Sequence, residues 1–102
     1  MINNKIYREA VEKVIPLIDI KDGRVLVTGA SGLIGSCLVD LLLLANRHGR
    51  NFDVYALGRN AEKLKKRFSF FSECDLLHFV EQDIQTPLDN TIHYDFIIHG
   101  EA

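Results

Sequence analysis

The sequence predicts an α/β fold built on a parallel sheet of about four strands, the first half of a doubly wound arrangement, with an extra helix at its N-terminus. Three features carry this reading. The aliphatic run Arg24-Val25-Leu26-Val27 leads straight into Gly29-x-x-Gly32-x-x-Gly35. An apolar helical pattern follows from Leu33 to about Arg47, so strand, glycine turn and helix stand in immediate succession. Further apolar runs at 52–57, 76–82 and 94–99 alternate with helical or turn-rich segments, and their near-continuous apolar character suits parallel strands covered by helices.

Taken in order, residues 1–22 form a helix and its connection, and 23–102 form the half-domain proper. Ile6, Ala10, Val11, Val14 and Ile15 fall at helical spacing opposite Glu9, Glu12 and Lys13 until Pro16 intervenes, which makes an amphipathic helix suited to packing rather than catalysis. In the helix after the glycines, Ile34, Leu38, Leu41, Leu42 and Ala45 share one face and are expected to cover the sheet. Val39, Leu43 and Leu44 widen the apolar surface, so this helix needs cover on more than one side. Gly49 supplies a helix stop, and His48 beside it reads as a solvated loop residue.

Phe52 to Leu57 is the second strand, ended by Gly58-Arg59-Asn60. A helix follows from Ala61 to Phe68, with Leu64 and Phe68 at the i, i+4 spacing that meets the sheet and its basic residues on a solvated face. The third strand spans 76–82 and is closed by Asp83-Ile84. A turn-rich connection too short for a full crossover helix then leads to the fourth strand, Tyr94 to His99.

Composition bounds the function. At 102 residues the chain is one domain or less, with 47% apolar and 25% charged residues, as in ordinary globular proteins. A net charge of −2 offers no electrostatic case for nucleic acid or an anionic membrane. The longest apolar run, Leu41 to Ala45, is too short to span a bilayer, and the N-terminus lacks a signal-peptide core, so a cytoplasmic protein is expected. Cys37 and Cys74 have no metal-ligand spacing, and His48, His78, His93 and His99 form no zinc pattern, so no metal site is expected.

The glycine turn carries the chemistry. Gly29 lets the chain leave the strand tightly, Gly32 brings bare backbone close to a phosphate, and Gly35 lets the helix pack closely on the sheet. With the free N–H groups and positive dipole end of the following helix, this is a pyrophosphate site of the Rossmann type. The simpler reading of three glycines is a strand-to-helix turn with no ligand.

The Thr28-Gly29-Ala30-Ser31-Gly32-Leu33-Ile34-Gly35 form resembles the cofactor motif of the extended short-chain dehydrogenase/reductases, the NAD-dependent epimerase/dehydratase family of nucleotide-sugar enzymes. The resemblance spans roughly Gly23 to Gly100. It implies that Gly29, Ser31, Gly32, Leu33, Ile34 and Gly35 line the cofactor. It also places Asp83 and Ile84 beside the adenine, with the Asp83 carboxylate accepting from the exocyclic amine; a plain turn cap is the competing account. On the family pattern Gly58 takes the place of the acidic residue that binds the ribose 2′-hydroxyl of NAD, and Arg59 follows it, which favours NADP over NAD. A guanidinium there can also stack on adenine in an NAD enzyme, and without a cofactor Arg59 is a solvated cation.

The run Asp83-Ile84-Gln85-Thr86-Pro87-Leu88 leading into Ile97-Ile98-His99 looks like the corresponding region of UDP-glucuronate decarboxylases and related dehydratases. There the strand ends in small residues against the cofactor. His99, Gly100 and Ala102 fit that end, whereas Glu101 departs from it.

The family's chemistry uses a Tyr-x-x-x-Lys pair. Tyr7, Tyr55 and Tyr94 are followed four residues later by Val11, Arg59 and Ile98, so these residues include no catalytic pair. The expectation is the NAD(P)-binding portion of a nucleotide-sugar epimerase, dehydratase or decarboxylase, inactive alone, with a nucleotide sugar as the parent enzyme's substrate. An exposed fourth strand is expected to promote homo-oligomers. The alternative is a stand-alone, non-catalytic dinucleotide-binding or redox-sensing module.

Overall fold

The structure, a computed structural model, describes residues 4–83, 87 and 91–100. Its elements in chain order are α1 (Lys5–Glu12), a 3₁₀ turn at Ile15–Leu17, β1 (Asp22–Thr28), α2 (Leu33–Asn46), β2 (Asn51–Gly58), α3 (Ala61–Arg67), a second 3₁₀ turn at Ser69–Phe71, β3 (Leu77–Glu81) and β4 (Phe96–His99). The four strands form one sheet in the order β3-β2-β1-β4, every pairing parallel. β1 is therefore central, and the chain crosses from one side of it to the other between β3 and β4. β4 starts at Phe96, later than the Tyr94 the sequence suggests; just before it the Asp95 N–H donates to the Arg24 carbonyl at 2.9 Å and the Asp95 carboxylate, in place of a backbone carbonyl, accepts from the Arg24 N–H at 2.8 Å.

Register divides the side chains between two faces. Val25, Val27, Phe52, Val54 and Ala56 pack with Val39, Leu42, Leu43, Leu64, Phe68 and Phe71 in the core, and Leu77, Phe79 and Ile98 border it. The alternate residues point the other way. There Arg24 lies beside Asp53, the His78 ring is 2.6 Å from the Asp53 carboxylate, and Tyr55 stacks on His78 with ring centres 4.5 Å apart. This polar ladder sits towards the N-terminal ends of β1 and β2.

Two helices present different faces from those expected. In α2, Leu42 and Ala45 are buried as expected, but the inward stripe runs through Gly35 and Val39, whereas Ile34 is 62% exposed and Leu38 and Leu41 are half-buried. The reason lies at Gly35. Without a side chain it lets the helix touch the backbone of the glycine turn, so the helix turns its Gly35 stripe inward instead of its Ile34 stripe. In α1, Tyr7 and Val11 pack inward with Ile15, while Ile6 is 80% exposed and Val14 is also exposed. The helix ends at Glu12, before the Pro16 turn, and Tyr7 sets its rotation through a hydrogen bond to α2. Asn4 caps α1 by accepting from the N–H groups of Ile6 and Tyr7.

α3 matches its pattern on the apolar side, with Leu64 and Phe68 fully buried. Its basic side is not uniformly solvated: Lys65 and Lys66 are exposed, but Arg67 turns inward to Asp40. His48 is exposed yet lies 2.9 Å from Glu12, joining the end of α2 to α1. Leu38 and Leu41 border two apolar hollows, the smaller of which Leu33 and Ile34 also line. One, of about 290 Å³, includes Val11 and Val14; the other, of about 540 Å³, runs to Ile18, Ile20, Phe96 and Ile98. No described helix is long and apolar enough to cross a membrane.

Candidate cofactor site

The C-terminal end of β1 is built from backbone packed on backbone. Gly29 follows Thr28 with φ +61°, a left-handed conformation that a side chain would strain, and its carbonyl accepts from the Gly32 N–H at 3.0 Å. The Ala30 N–H donates to the Leu57 carbonyl at 3.1 Å, which ties the turn to β2. A Cβ on Gly35 would overlap the Gly29 carbonyl oxygen, and one on Gly100 would come within 2.5 Å of the Gly35 Cα. The Gly100 N–H in turn donates to the Thr28 carbonyl at 2.9 Å. Helix, turn and the residue after β4 thus meet with no room for side chains.

Gly32 is the N-cap of α2, with extended backbone (φ −74°, ψ 171°) and no side chain to satisfy the first turn. The first bond onto its carbonyl comes from the Ser36 N–H at 2.9 Å, so the N–H groups of Leu33, Ile34 and Gly35 precede the intrahelical ladder. These donors and the helix dipole point at one place and suit an anion. Ser31 beside them is exposed, as are Leu33 and Ile34. The buried Ser36 hydroxyl turns back to the Leu33 carbonyl, away from any ligand.

The other sequence-selected residues lie at the ends of neighbouring strands. His99 ends β4 opposite Thr28, and its Nδ1 is 3.1 Å from the buried Thr28 hydroxyl. Arg59 is exposed directly after β2, one residue before Asn60, whose side chain caps α3 by accepting from the Lys63 N–H. Asp83 is exposed just beyond β3, where the Gln82 N–H donates to the Gly58 carbonyl. Ile84 and Glu101 lie outside the described residues. Gly29, Gly35, Thr28, His99 and Gly100 are therefore in direct contact or nearly so, with Arg59 and Asp83 placed along the same carboxyl edge, where open α/β sheets bind ligands.

Residues 25–102 match the NAD dependent epimerase/dehydratase family. The chain belongs to this family. No curated protein matches it. Among solved structures, it is similar to a Methanococcus maripaludis protein described as an S-adenosyl-L-methionine-dependent methyltransferase, at 18% identity and a TM-score of 0.57 over 92% of this chain and 41% of that one. It is also similar to the CMeT domain of the citrinin polyketide synthase, at 19% identity and a TM-score of 0.61 over 96% of this chain and 27% of that one. At such identities these likenesses show a shared fold, and the chain spans less than half the length of either.

For an epimerase/dehydratase the family implies a domain that binds NAD(P). The glycine turn fits the pyrophosphate of such a cofactor, because the space a Cβ would fill is closed by backbone while the helix donors remain directed outward. Among the described residues, no group of three or more His, Cys, Asp or Glu side chains could hold a metal ion.

One buried cluster behind the turn was not singled out by sequence. Asp40, fully buried in α2, accepts from the Tyr7 hydroxyl at 2.7 Å and from Arg67 Nη2 at 2.7 Å, with Arg67 Nη1 at 3.4 Å from its second oxygen. Burial raises the Tyr7 pKa well above its usual range, as do hydrogen bonding with Cys37 and Asp40 and the Asp40 charge. Burial works against the Arg67 charge, but the hydrogen bond and attraction of Asp40 outweigh it and the pKa is raised. The available signal was Asp40 itself, a carboxylate within an otherwise apolar helical run.

Proposed function

We propose that this chain is the cofactor-gripping portion of a nucleotide-sugar epimerase, dehydratase or decarboxylase, and that the cofactor is NADP in preference to NAD. The observation that carries the reading is the backbone-on-backbone meeting of Gly29, Gly35 and Gly100 beneath the open first turn of α2, within a chain of the epimerase/dehydratase family. The N–H groups of Leu33, Ile34 and Gly35 hold the pyrophosphate, and Ser31 adds a hydroxyl beside them. Gly58 ends β2 where an NAD site would carry an acid, and Arg59 directly after it meets the 2′-phosphate. Asp83, with Ile84, borders the adenine. His99 and Gly100 form the wall nearest the nicotinamide half, with His99 steadied by Thr28.

When bound, the cofactor supplies reversible hydride transfer, and the residues here bind and orient it. No Tyr in the sequence is followed four residues later by Lys, so the proton chemistry on the sugar belongs to residues outside this set, and the chain alone turns over no nucleotide sugar. Fluorescence or calorimetric titration with both cofactors tests the reading. Arg59→Ala is expected to weaken NADP about ten- to hundredfold, the value of a charge-assisted contact, and to leave NAD nearly unchanged. Equal effects on the two cofactors would remove the assignment of Arg59 to the 2′-phosphate.

A further inference from the structure

Asp40 bonds to two other helices from inside α2. Tyr7 of α1 and Arg67 of α3 both end on its carboxylate, and the side chain is 0% exposed. Stability is a poor reason for such an arrangement. A buried ion pair loses about as much hydration as it gains in attraction, and well-packed apolar residues in its place are often neutral or stabilising. A charged, two-pronged contact gives direction instead, because a planar guanidinium meets a carboxylate in few orientations.

Two of the three helices so joined, α2 and α3, begin at the two ends of the proposed cofactor grip. The first turn of α2 faces the pyrophosphate, and Arg59 immediately precedes Asn60, the cap of α3. A small rotation or slide of α3 against α2 would therefore move Arg59 relative to the phosphate donors. A ligand spanning both ends feels that displacement, and a ligand touching one end does not.

We propose that Asp40 is a positioning residue for cofactor binding: through Arg67, and with Tyr7 holding α1 over the pair, it fixes the spacing between the pyrophosphate turn and Arg59. The proposal rests on the cofactor reading above, and its test separates the two. The probes are NADP, which spans both ends, and inorganic pyrophosphate, which meets α2 alone. In the variant Tyr7→Phe/Asp40→Leu/Arg67→Met, folding is expected to persist with a thermal midpoint close to that of the parent chain. Pyrophosphate affinity should stay within about twofold while NADP affinity falls about tenfold. Arg67→Lys, which keeps the charge and loses the two-pronged geometry, should shift the ratio the same way to a smaller degree, and it serves alone if the triple variant does not fold. A merely structural role would lower both affinities by a common factor, and that result, or no change in either, overturns the proposal. If the parent chain binds neither probe, the cofactor reading fails and this one falls with it. If the parent binds both and the ratio holds in the variants, the positioning role alone is lost.

Discussion

Gly35 shows how one residue can set a helix. Its missing side chain allows α2 to rest on the Gly29 carbonyl, and that contact, more than the abundance of leucine, decides which stripe of α2 faces the sheet. Gly35→Ala is expected to destabilise the chain by about 1–3 kcal/mol, the cost of overpacking, as α2 lifts from the turn. Thermal or urea unfolding measures this, and an alanine variant as stable as the parent would show that the helix has room that the contact denies. The spacing of the glycines made the tight turn at Gly29 and the close helix contact at Gly35 legible in sequence. The His99–Thr28 contact was not legible, because it joins residues far apart in the chain through the pairing of β1 with β4.

At the scale of the element, α1 illustrates where periodicity misleads. The stripe from Ile6 to Ile15 is a sound amphipathic pattern, yet the helix docks through Tyr7 and Val11 because a phenol can satisfy a buried carboxylate and an isoleucine cannot. This gives the docking a pH dependence. The Tyr7 pKa is raised in the folded chain above its ordinary value near 10. The unfolded phenol thus ionises first, so the stability held in the neutral phenol is whole below about pH 10 and erodes as pH climbs towards the folded value. Tyr7→Phe has nothing there to ionise. Denaturant unfolding at about pH 8 and pH 11 should show the parent losing more stability across this interval than the phenylalanine variant. Equal losses would contradict the shift. α3 teaches a related lesson: a basic run in sequence averages over residues whose fates differ, and Arg67 left the solvated face because Asp40 was within reach.

For the molecule as a whole, the succession of strand, glycine turn and helix was enough to anticipate a parallel sheet of about four strands, because each apolar run is short, β-rich and bounded by turn residues, whereas the place of β1 between β2 and β4 comes from the pairing of distant segments. What sequence could not supply was the rotation of the helices and the partners of buried charge, which depend on contacts between distant segments. The polar ladder of Arg24, Asp53 and His78 is likewise a product of register, visible once β1, β2 and β3 are aligned. It lies towards the N-terminal ends of the strands, whereas the proposed site follows their C-terminal ends, so the two ends of the sheet can be told apart by experiment. Backbone amide shifts of the full chain, recorded as NADP is added, show which end of the sheet the cofactor meets. Saturable changes are expected, concentrated at Gly29 to Gly35, Arg59, Asp83, His99 and Gly100, with Arg24, Asp53 and His78 little moved. Shifts centred on those last three residues, or none at millimolar cofactor, would contradict the proposed site.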